Sequence, residues 1–399
     1  MAVTLELSND EELAIKELKS RFAADEMPTE MYEDTHMFHR FLKARDYNLN
    51  NAEYMLRNHL TWRKEFKVDT VKDYISREAL VKFFPGSYIG LDIEGCPVEF
   101  FATGNIDPKG IRRAAKFIPD IVMHVIKIVE RDAEILKNQA IKVGKPLSGG
   151  FYIADLKKFP LSVATDKKSL EHAIYIAKLY QDNYPESLKG VFVINVSPYF
   201  TLFYNMLKHF LAPSFVKKVK FYRTDDYKED LRKIIDPDVL PAFLGGNRTD
   251  PDGNPLCLSF LTHCGKVEDK YFIQKNSRCL AEQPGVQRLL VSRVSLAEIE
   301  LKVVELGSVI EWEFETRSRD IGFGLFFKDG GSDRIVELIP LMRLHTEDFS
   351  ETGVHKCEKT GTYIIVFDNS DSWIRSKEIF YRTAVKTPAE HEESLKDID

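Results

Sequence analysis

The sequence predicts three structural parts: an all-helical N-terminal region, a central α/β domain and a C-terminal β-sandwich. Three observations indicate this division. Helical spacing of apolar residues dominates residues 1–78, buried-type strands alternate with helices over 79–247, and period-two alternation follows over 259–386. The chain has 399 residues, which is more than one ordinary domain contains, so we expect more than one hydrophobic core.

The N-terminal region carries a helix-start signal and two amphipathic runs. Ser8 and Glu11 form a capping box, which predicts a helix beginning just after Ser8. Apolar residues recur at helical spacing from Met37 to Leu42 and again from Ala52 to Leu60, the second run with Asn50 as its expected N-cap. We therefore expect residues 1–78 to be a helical lead-in with charged outer faces.

The central region alternates between strand and helix patterns. Asp107-Pro108 is expected to open one long helix that carries apolar residues from Ile118 to Val129. The alternation predicts an α/β domain with a mainly parallel sheet that closes near residues 240–246. The expected strands lie at 88–91, 98–101, 151–155 and 190–196, and a second helix is expected at 167–182.

The C-terminal region begins after a Pro- and Gly-containing stretch, so residues 248–258 are expected to be a linker. Beyond it, apolar and charged residues alternate over 297–303 and 310–314, which predicts a β-sandwich. Trp312 and Trp373 are expected in its core. The Glu- and Asp-rich residues 387–399 are expected to be a disordered acidic tail.

Composition excludes several classes of function. The formal net charge of −6 argues against a nucleic-acid partner for the whole molecule. The five cysteines include no Cys-x-x-Cys pair, so neither a disulfide framework nor a metal site is expected. The chain starts without a cationic, apolar leader and has no run of about 18 apolar residues, so we expect a cytoplasmic protein without a membrane span.

Catalytic motifs are absent from the sequence. There is no Gly-x-Ser-x-Gly elbow, no Walker loop and no His-Glu-x-x-His. His124 lies beside an apolar helix face, where a packed histidine is more common than a general base. We therefore expect no enzyme and no cofactor other than a bound lipid, and a lipid hydrolase or isomerase is disfavoured.

The segment at about 199–211 is strongly apolar and has two interpretations. It is either a buried core helix or a lid over an apolar cavity, whose outer side meets membrane when it opens. The basic residues Lys217, Lys218 and Lys220 follow directly, and they either dock on an anionic bilayer or form a solvated helix end. The candidate lid residues are Phe200, Phe203, Tyr204, Leu207, Phe210 and Leu211.

Several short motifs occur in a recognisable order along the chain. They are Phe41-Leu-Lys-Ala-Arg45, Asp155-Leu156, Tyr184-Pro-Glu186, Phe210-Leu211 and Leu240-Pro-Ala-Phe-Leu-Gly-Gly246. With these motifs the chain resembles the CRAL-TRIO lipid-binding family. The junction at 250–257, and the segment Gly361–Asn369 followed by Trp373, are similar to a GOLD β-sandwich.

The resemblance implies a carrier that encloses one lipid and exchanges it at membranes, Golgi membranes among them, through a mobile gate helix. Glu186, Lys218 and Arg45 match family residues that hold an inositol headgroup, and Tyr152 lies at a family lipid position. The chain departs from the family pattern at several positions, which favours a neutral, tocopherol-like or isoprenoid ligand. The competing interpretation is a trafficking or signalling adaptor that recruits a protein through its GOLD domain. The departures are Asp46, Glu99, Gly150, Tyr152 and Phe215.

Overall fold

The computed structural model describes residues 7–273, 280–317, 320–328, 335–346 and 350–391. The chain forms two compact units, and the boundary between them along the sequence lies between Tyr271 and Phe272. The first unit contains the helical region and the α/β domain, and the second contains two antiparallel sheets. The predicted fold class is therefore confirmed.

The N-terminal region is helical, and its caps explain where the helices begin. Glu11 donates its backbone N–H to the Ser8 hydroxyl, while Ser8 donates its own N–H to the Glu11 carboxylate at 2.9 Å. The second apolar run is capped by Asn48, whose side-chain oxygen accepts from the N–H of Asn51. The cap therefore lies two residues before the expected one at Asn50. Helices α1–α5 occupy Asn9–Ser20, Thr29–Tyr32, Thr35–Lys43, Leu49–Glu65 and Glu78–Phe83.

The central sheet has five strands in sequential order. Its first pair is antiparallel and the other three pairings are parallel, as the alternating pattern predicts. Strands β1–β5 occupy Ser87–Leu91, Pro97–Phe101, Gly150–Asp155, Leu188–Ile194 and Val219–Phe221, and helices α6–α12 occupy Pro108–Ala114, Met123–Val143, Leu161–Ala164, Lys167–Asn183, Pro198–Leu207, Pro213–Val216 and Tyr227–Ile234.

The two faces of this sheet differ in how completely they are filled. Side chains alternate between faces along each strand. On one face Phe151 and Phe192 are buried against Leu231 of α12. On the other face Tyr152 and Val191 remain half-buried beneath the helices, so this face borders space that the protein does not fill.

The long helix expected from Asp107 is interrupted. Helix α6 ends at Ala114, and Ala115 has an extended backbone with φ −148° and ψ 141°. A turn of π-helix at Phe117–Val122 precedes α7. Pro119 explains the interruption because it has no N–H with which to continue an α-helical ladder.

The second unit is a β-sandwich of two four-stranded antiparallel sheets, with strand orders β10-β9-β12-β7 and β11-β8-β13-β6. Phe323 and Phe367 from one sheet pack against Trp312 and Phe314 from the other. The prediction that Trp373 belongs to this core is wrong, because its side chain is exposed. Strands β6–β13 occupy Gln287–Val291, Leu296–Val303, Val309–Thr316, Asp320–Lys328, Ile335–His345, Glu351–Lys356, Gly361–Asp368 and Lys377–Lys386.

The expected linker and tail differ from the structure. Within the stretch 248–258, Cys257 is buried in the α/β core, and Asp250 accepts a hydrogen bond from the Ser259 hydroxyl, so this stretch packs on the first unit. The stretch 387–399 begins with a helical turn that Thr387 caps. The remainder of the predicted tail, residues 392–399, lies outside the described residues.

Candidate functional site

Helix α10 buries one apolar side and exposes further apolar residues beside the polar residues Thr201 and Asn205. Its N-terminus is set by Ser197, whose hydroxyl accepts from the N–H of Phe200. Phe200 and Phe203 are buried, with ring centroids 5.5 and 5.9 Å from that of Phe159. On the outer side, the exposed fractions are 48% for Tyr199, 47% for Leu202 and 36% for Met206.

The predicted lid segment is therefore a helix followed by a tighter turn. Tyr204 and Leu207 are half-buried within α10. Phe210 and Leu211 follow the helix: Phe210 ends a 3₁₀ turn and is exposed, and Leu211 is half-buried.

Gln181 on α9 ties down the chain after this turn. Its side-chain amide donates to the carbonyl oxygen of Phe210 at 3.2 Å, and its side-chain oxygen accepts from the N–H of Ala212. Lys178, one helical turn before Gln181, lies 6.0 Å from the centre of the Phe210 ring. The C-terminal end of the lid segment is thus held to α9 by polar contacts, whereas α10 itself is held by apolar packing.

Three of the predicted lipid-binding residues line one cavity of about 450 Å³. Arg45 comes from the turn after α3, Glu186 from the turn before β4, and Lys218 from the residue before β5. The Glu186 carboxylate lies 3.8 Å from the Lys218 ammonium and 3.7 Å from that of Lys43. Arg45 lies 4.0 Å from Asp182. The cavity wall thus contains opposite charges that partly neutralise one another.

Glu186 is held in an uncommon backbone conformation, with φ +53°. Such conformations persist where the surrounding structure over-determines them. The Tyr184 hydroxyl donates to Glu130 of α7 at 2.6 Å, and Glu130 also accepts from Arg63 of α4 at 3.0 Å. These contacts anchor the turn, so the position of Glu186 in the cavity wall is fixed by two neighbouring helices.

The three lysines expected to dock on membranes point in different directions. Lys217 is exposed. Lys218 turns inward and donates to the carbonyl oxygen of Leu188 at 2.7 Å. Lys220 pairs with Asp230 of α12, which raises the pKa of the lysine. Two of the three ammonium groups are therefore engaged within the first unit, by the carbonyl oxygen of Leu188 and by Asp230.

Tyr152 lies away from this cavity and lines a second one of about 170 Å³. Its hydroxyl is 3.3 Å from that of Tyr180, which donates to the carbonyl oxygen of Ser187. A Cβ atom at Gly150 would lie 3.0 Å from the Tyr152 hydroxyl. The two family departures Gly150 and Tyr152 are therefore coupled, because glycine leaves the room that the phenol ring occupies.

A buried ionic cluster stands beside this second cavity. The Arg131 guanidinium donates to Glu99 at 2.5 Å and to Asp132 at 2.9 Å. Burial raises the pKa of both carboxyl groups, and the negative charge of Asp132 raises that of Glu99 further. Each acid therefore holds its proton up to a higher pH than an exposed carboxyl group does.

Sequence reasoning missed three contributors to the site. Arg40 lines the second cavity and donates to the Ser187 hydroxyl at 3.2 Å. Gln181 and the pair Arg131-Asp132 were also missed. A signal existed for Asp132, because the spacing from Ile121 and Ile128 places it on the apolar face of its helix. A charge on such a face predicts a buried partner.

No helix in the described part of the chain is long and apolar enough to cross a bilayer. Within the same residues, no three His, Cys, Asp or Glu side chains come together in a metal-binding arrangement.

Comparison with known proteins identifies the central domain. Residues 67–246 match the CRAL/TRIO domain. Protein ctg-1 of Caenorhabditis elegans is 24% identical over 351 residues, which cover 87% of this chain and 90% of that protein. The phosphatidylinositol/phosphatidylcholine transfer protein SFH12 of Arabidopsis thaliana is 30% identical over 242 residues, which cover 60% of this chain and 44% of that protein.

The match to SFH12 spans less than half of that protein's length, whereas the match to ctg-1 spans nearly all of it. The CRAL/TRIO match contains the five-stranded sheet, α10, and the cavity residues Glu186 and Lys218. Arg45 lies before the matched residues. The chain therefore contains a CRAL/TRIO domain.

Proposed function

We propose that this protein encloses one lipid or other hydrophobic molecule and carries it between membranes without altering it. The observation that carries this proposal is that α10 exposes large apolar side chains beside the apolar side that it buries. Phe203 is buried and Leu202 is exposed, so the same helix covers an apolar space and presents apolar groups to its surroundings, next to the exposed polar residues Thr201 and Asn205. A helix that only completed a core would expose mainly polar residues.

The space beneath α10 supports enclosure of a ligand. Residues 172–177 of α9 are all half-buried, so no side of this stretch of the helix is completely covered by protein. Tyr152 and Val191 on the facing sheet are half-buried as well. Transfer of apolar surface from water stabilises a complex by about 0.8 kcal/mol per CH₂ group, so such a lumen favours a chain-bearing ligand.

Two ligand classes each have support at the polar end. The 450 Å³ cavity brings Arg45, Lys218 and Glu186 together, which suits a phosphate that carries a polyol. Against this, Glu186 already lies between Lys43 and Lys218, and Phe215 puts an apolar ring in the cavity wall, which suits a neutral hydrophobe. SFH12, by its name, transfers phosphatidylinositol and phosphatidylcholine.

We further propose that the β-sandwich is a GOLD domain and that the whole chain resembles the supernatant protein factor or tocopherol-associated group. Support comes from the two four-stranded sheets and from the central position of β12, which contains the segment that resembles GOLD. Exchange would then occur at the cytoplasmic surface of membranes, with the protein bound peripherally through α10 and the exposed Lys217.

Native mass spectrometry of the purified chain, followed by solvent extraction, tests the ligand assignment. An inositol phospholipid would favour the headgroup role of Glu186 and Lys218, and a neutral hydrophobe would favour the apolar alternative. Transfer of labelled lipid between vesicles at substoichiometric protein tests the carrier function. A protein that binds lipid but leaves the vesicle-to-vesicle rate unchanged would contradict it and favour the adaptor.

A further inference from the structure

The loop between β12 and β13, residues 369–376, exposes two large apolar side chains at its tip. Trp373 is 78% exposed and Ile374 is 84% exposed. Val294, from the loop between β6 and β7, is also exposed and joins the tip through its N–H, which donates to the carbonyl oxygen of Ser372 at 3.1 Å. We call residues 292–294 and 370–376 the Trp373 tip.

A buried asparagine holds this tip in place. The Asn369 side chain is fully buried, and its amide donates to the carbonyl oxygens of Val291, Ser292 and Arg375 at 3.0–3.2 Å. Its backbone N–H donates to the carbonyl oxygen of Ser295 at 2.8 Å. Asn369 therefore links the two loops by hydrogen bonds, and these bonds fix the position of the exposed apolar residues.

The charge of the Trp373 tip is positive, although the chain as a whole carries −6. Arg293 and Arg375 are exposed and have no carboxylate partner within the described residues. Asp371 is balanced by Arg343 at 3.5 Å. Asp368 is directed to its own loop, where it accepts from the N–H and the hydroxyl of Ser370.

We propose that the Trp373 tip inserts into the headgroup region of an anionic bilayer. Trp is favoured at the boundary between polar and apolar layers, where its ring is buried and its N–H stays hydrated. Arg293 and Arg375 would lie at the level of the lipid phosphates. The apolar set is a convex tip of three side chains, far smaller than the roughly 800 Å² per partner of a stable protein interface.

This inference goes beyond the proposed carrier function, because it places a membrane contact on the second unit, independently of α10. The test uses the full chain and vesicles of phosphatidylcholine, with or without phosphatidylserine. Trp373→Ser with Ile374→Ser should weaken binding to the serine-containing vesicles by about tenfold or more. Arg293→Gln with Arg375→Gln should weaken binding to those vesicles and leave binding to neutral vesicles unchanged.

The matched control is Val304→Ser with Leu306→Ser. These residues are 87% and 65% exposed, and they follow β7 at the opposite end of its pairing with β12. They flank Glu305 instead of arginines. We expect this variant to bind vesicles like the wild type. Equal losses in the control and in the tip variant would overturn the proposal, because generic exposed apolar surface would then explain binding.

Fluorescence gives a second readout. The chain has three tryptophans, of which Trp312 is buried and Trp62 is half-buried. Lipids with brominated acyl chains should quench the wild type more than Trp373→Phe. Equal quenching, or unchanged vesicle affinity in the tip variant, refutes insertion and favours a protein partner for this tip. A vesicle-transfer assay reports on α10 separately, so failure of either proposal can be recognised.

Discussion

The outer face of α10 gives the sharpest prediction about transfer. Leu202 and Met206 are 47% and 36% exposed, and full burial of a Leu or Met side chain contributes about 1.5–3 kcal/mol. Insertion into lipid would bury the exposed part, so each side chain should contribute about 1 kcal/mol. Leu202→Ser with Met206→Ser should therefore weaken docking by about 2 kcal/mol, which is about 30-fold in partition to vesicles.

The assay is the rate of labelled-lipid transfer between vesicles, measured together with the free energy of unfolding in urea. The double variant should lose transfer, and its unfolding free energy should fall by about 2 kcal/mol because the covered part of each side chain is removed as well, so transfer is measured under conditions in which the denaturation curves show both proteins to be folded. Ile75→Ser with Val81→Ser is the control, because both residues are exposed in the same unit but far along the chain from α10. An unchanged transfer rate in the α10 variant would refute docking through this face.

Phe203 is unsuitable for the same test, since it is buried against Phe159. Replacing it by Ala should lower the unfolding free energy by about 3–5 kcal/mol, and any loss of transfer would then report on folding.

Four further predictions concern stability, pH and ligand. Gln181→Ala frees the N–H of Ala212, so hydrogen exchange at that amide should accelerate, and unchanged exchange would contradict the tether. Burial and the charge of Arg63 lower the pKa of His59 from 6.5 to about 3. The unfolded chain takes up a proton at His59 as pH falls through 6.5 while the folded chain does not, so stability should fall by about 2 kcal/mol between pH 7 and pH 5. Denaturant titrations of His59→Gln should show a shallower decline, and parallel curves would argue against this role. The pH effect of Glu99 has the opposite sign, because its pKa is raised in the folded protein. The stability that Glu99 contributes is present below its unfolded pKa and is lost as pH rises. The wild type should therefore lose stability between pH 5 and pH 8, and Glu99→Gln should lose less. Extraction of bound lipid should lower the melting temperature, and adding the ligand back at 100 times its Kd should restore about 2.7 kcal/mol; identical melting curves would speak against a filled lumen.

Local patterns predicted the elements better than they predicted the interruptions. The alternation of strand and helix patterns predicted the central sheet. The period-two alternation of apolar residues predicted the sandwich, because burial of one face imposes a period of two on a strand. The break between α6 and α7 was missed, since the apolar face continues through it, and the effect of Pro119 depends on a missing hydrogen bond.

The ionic part of the site was less predictable from sequence. Arg45, Glu186 and Lys218 lie far apart in the chain, and only the family resemblance linked them before the structure brought them to one cavity. The lysine run at 217–220 reads as one basic cluster, yet the packing of α12 gives Lys220 an acidic neighbour, Asp230. Charge partners depend on tertiary packing, which the spacing within one segment does not encode.

Helix α10 shows why the sequence left two interpretations open. A strongly apolar helix is typical of a core and equally of a lid, and only its neighbours distinguish them. Phe200 and Phe203 pack as core residues do, whereas Leu202 and Met206 remain exposed by less than half. Partial exposure limits the free-energy cost of the helix in water and leaves apolar surface that lipid would cover. Trp373 is exposed by more than three quarters, on a loop that Asn369 holds by hydrogen bonds. If both proposals hold, α10 would close over a ligand, whereas the Trp373 tip would only bind the membrane.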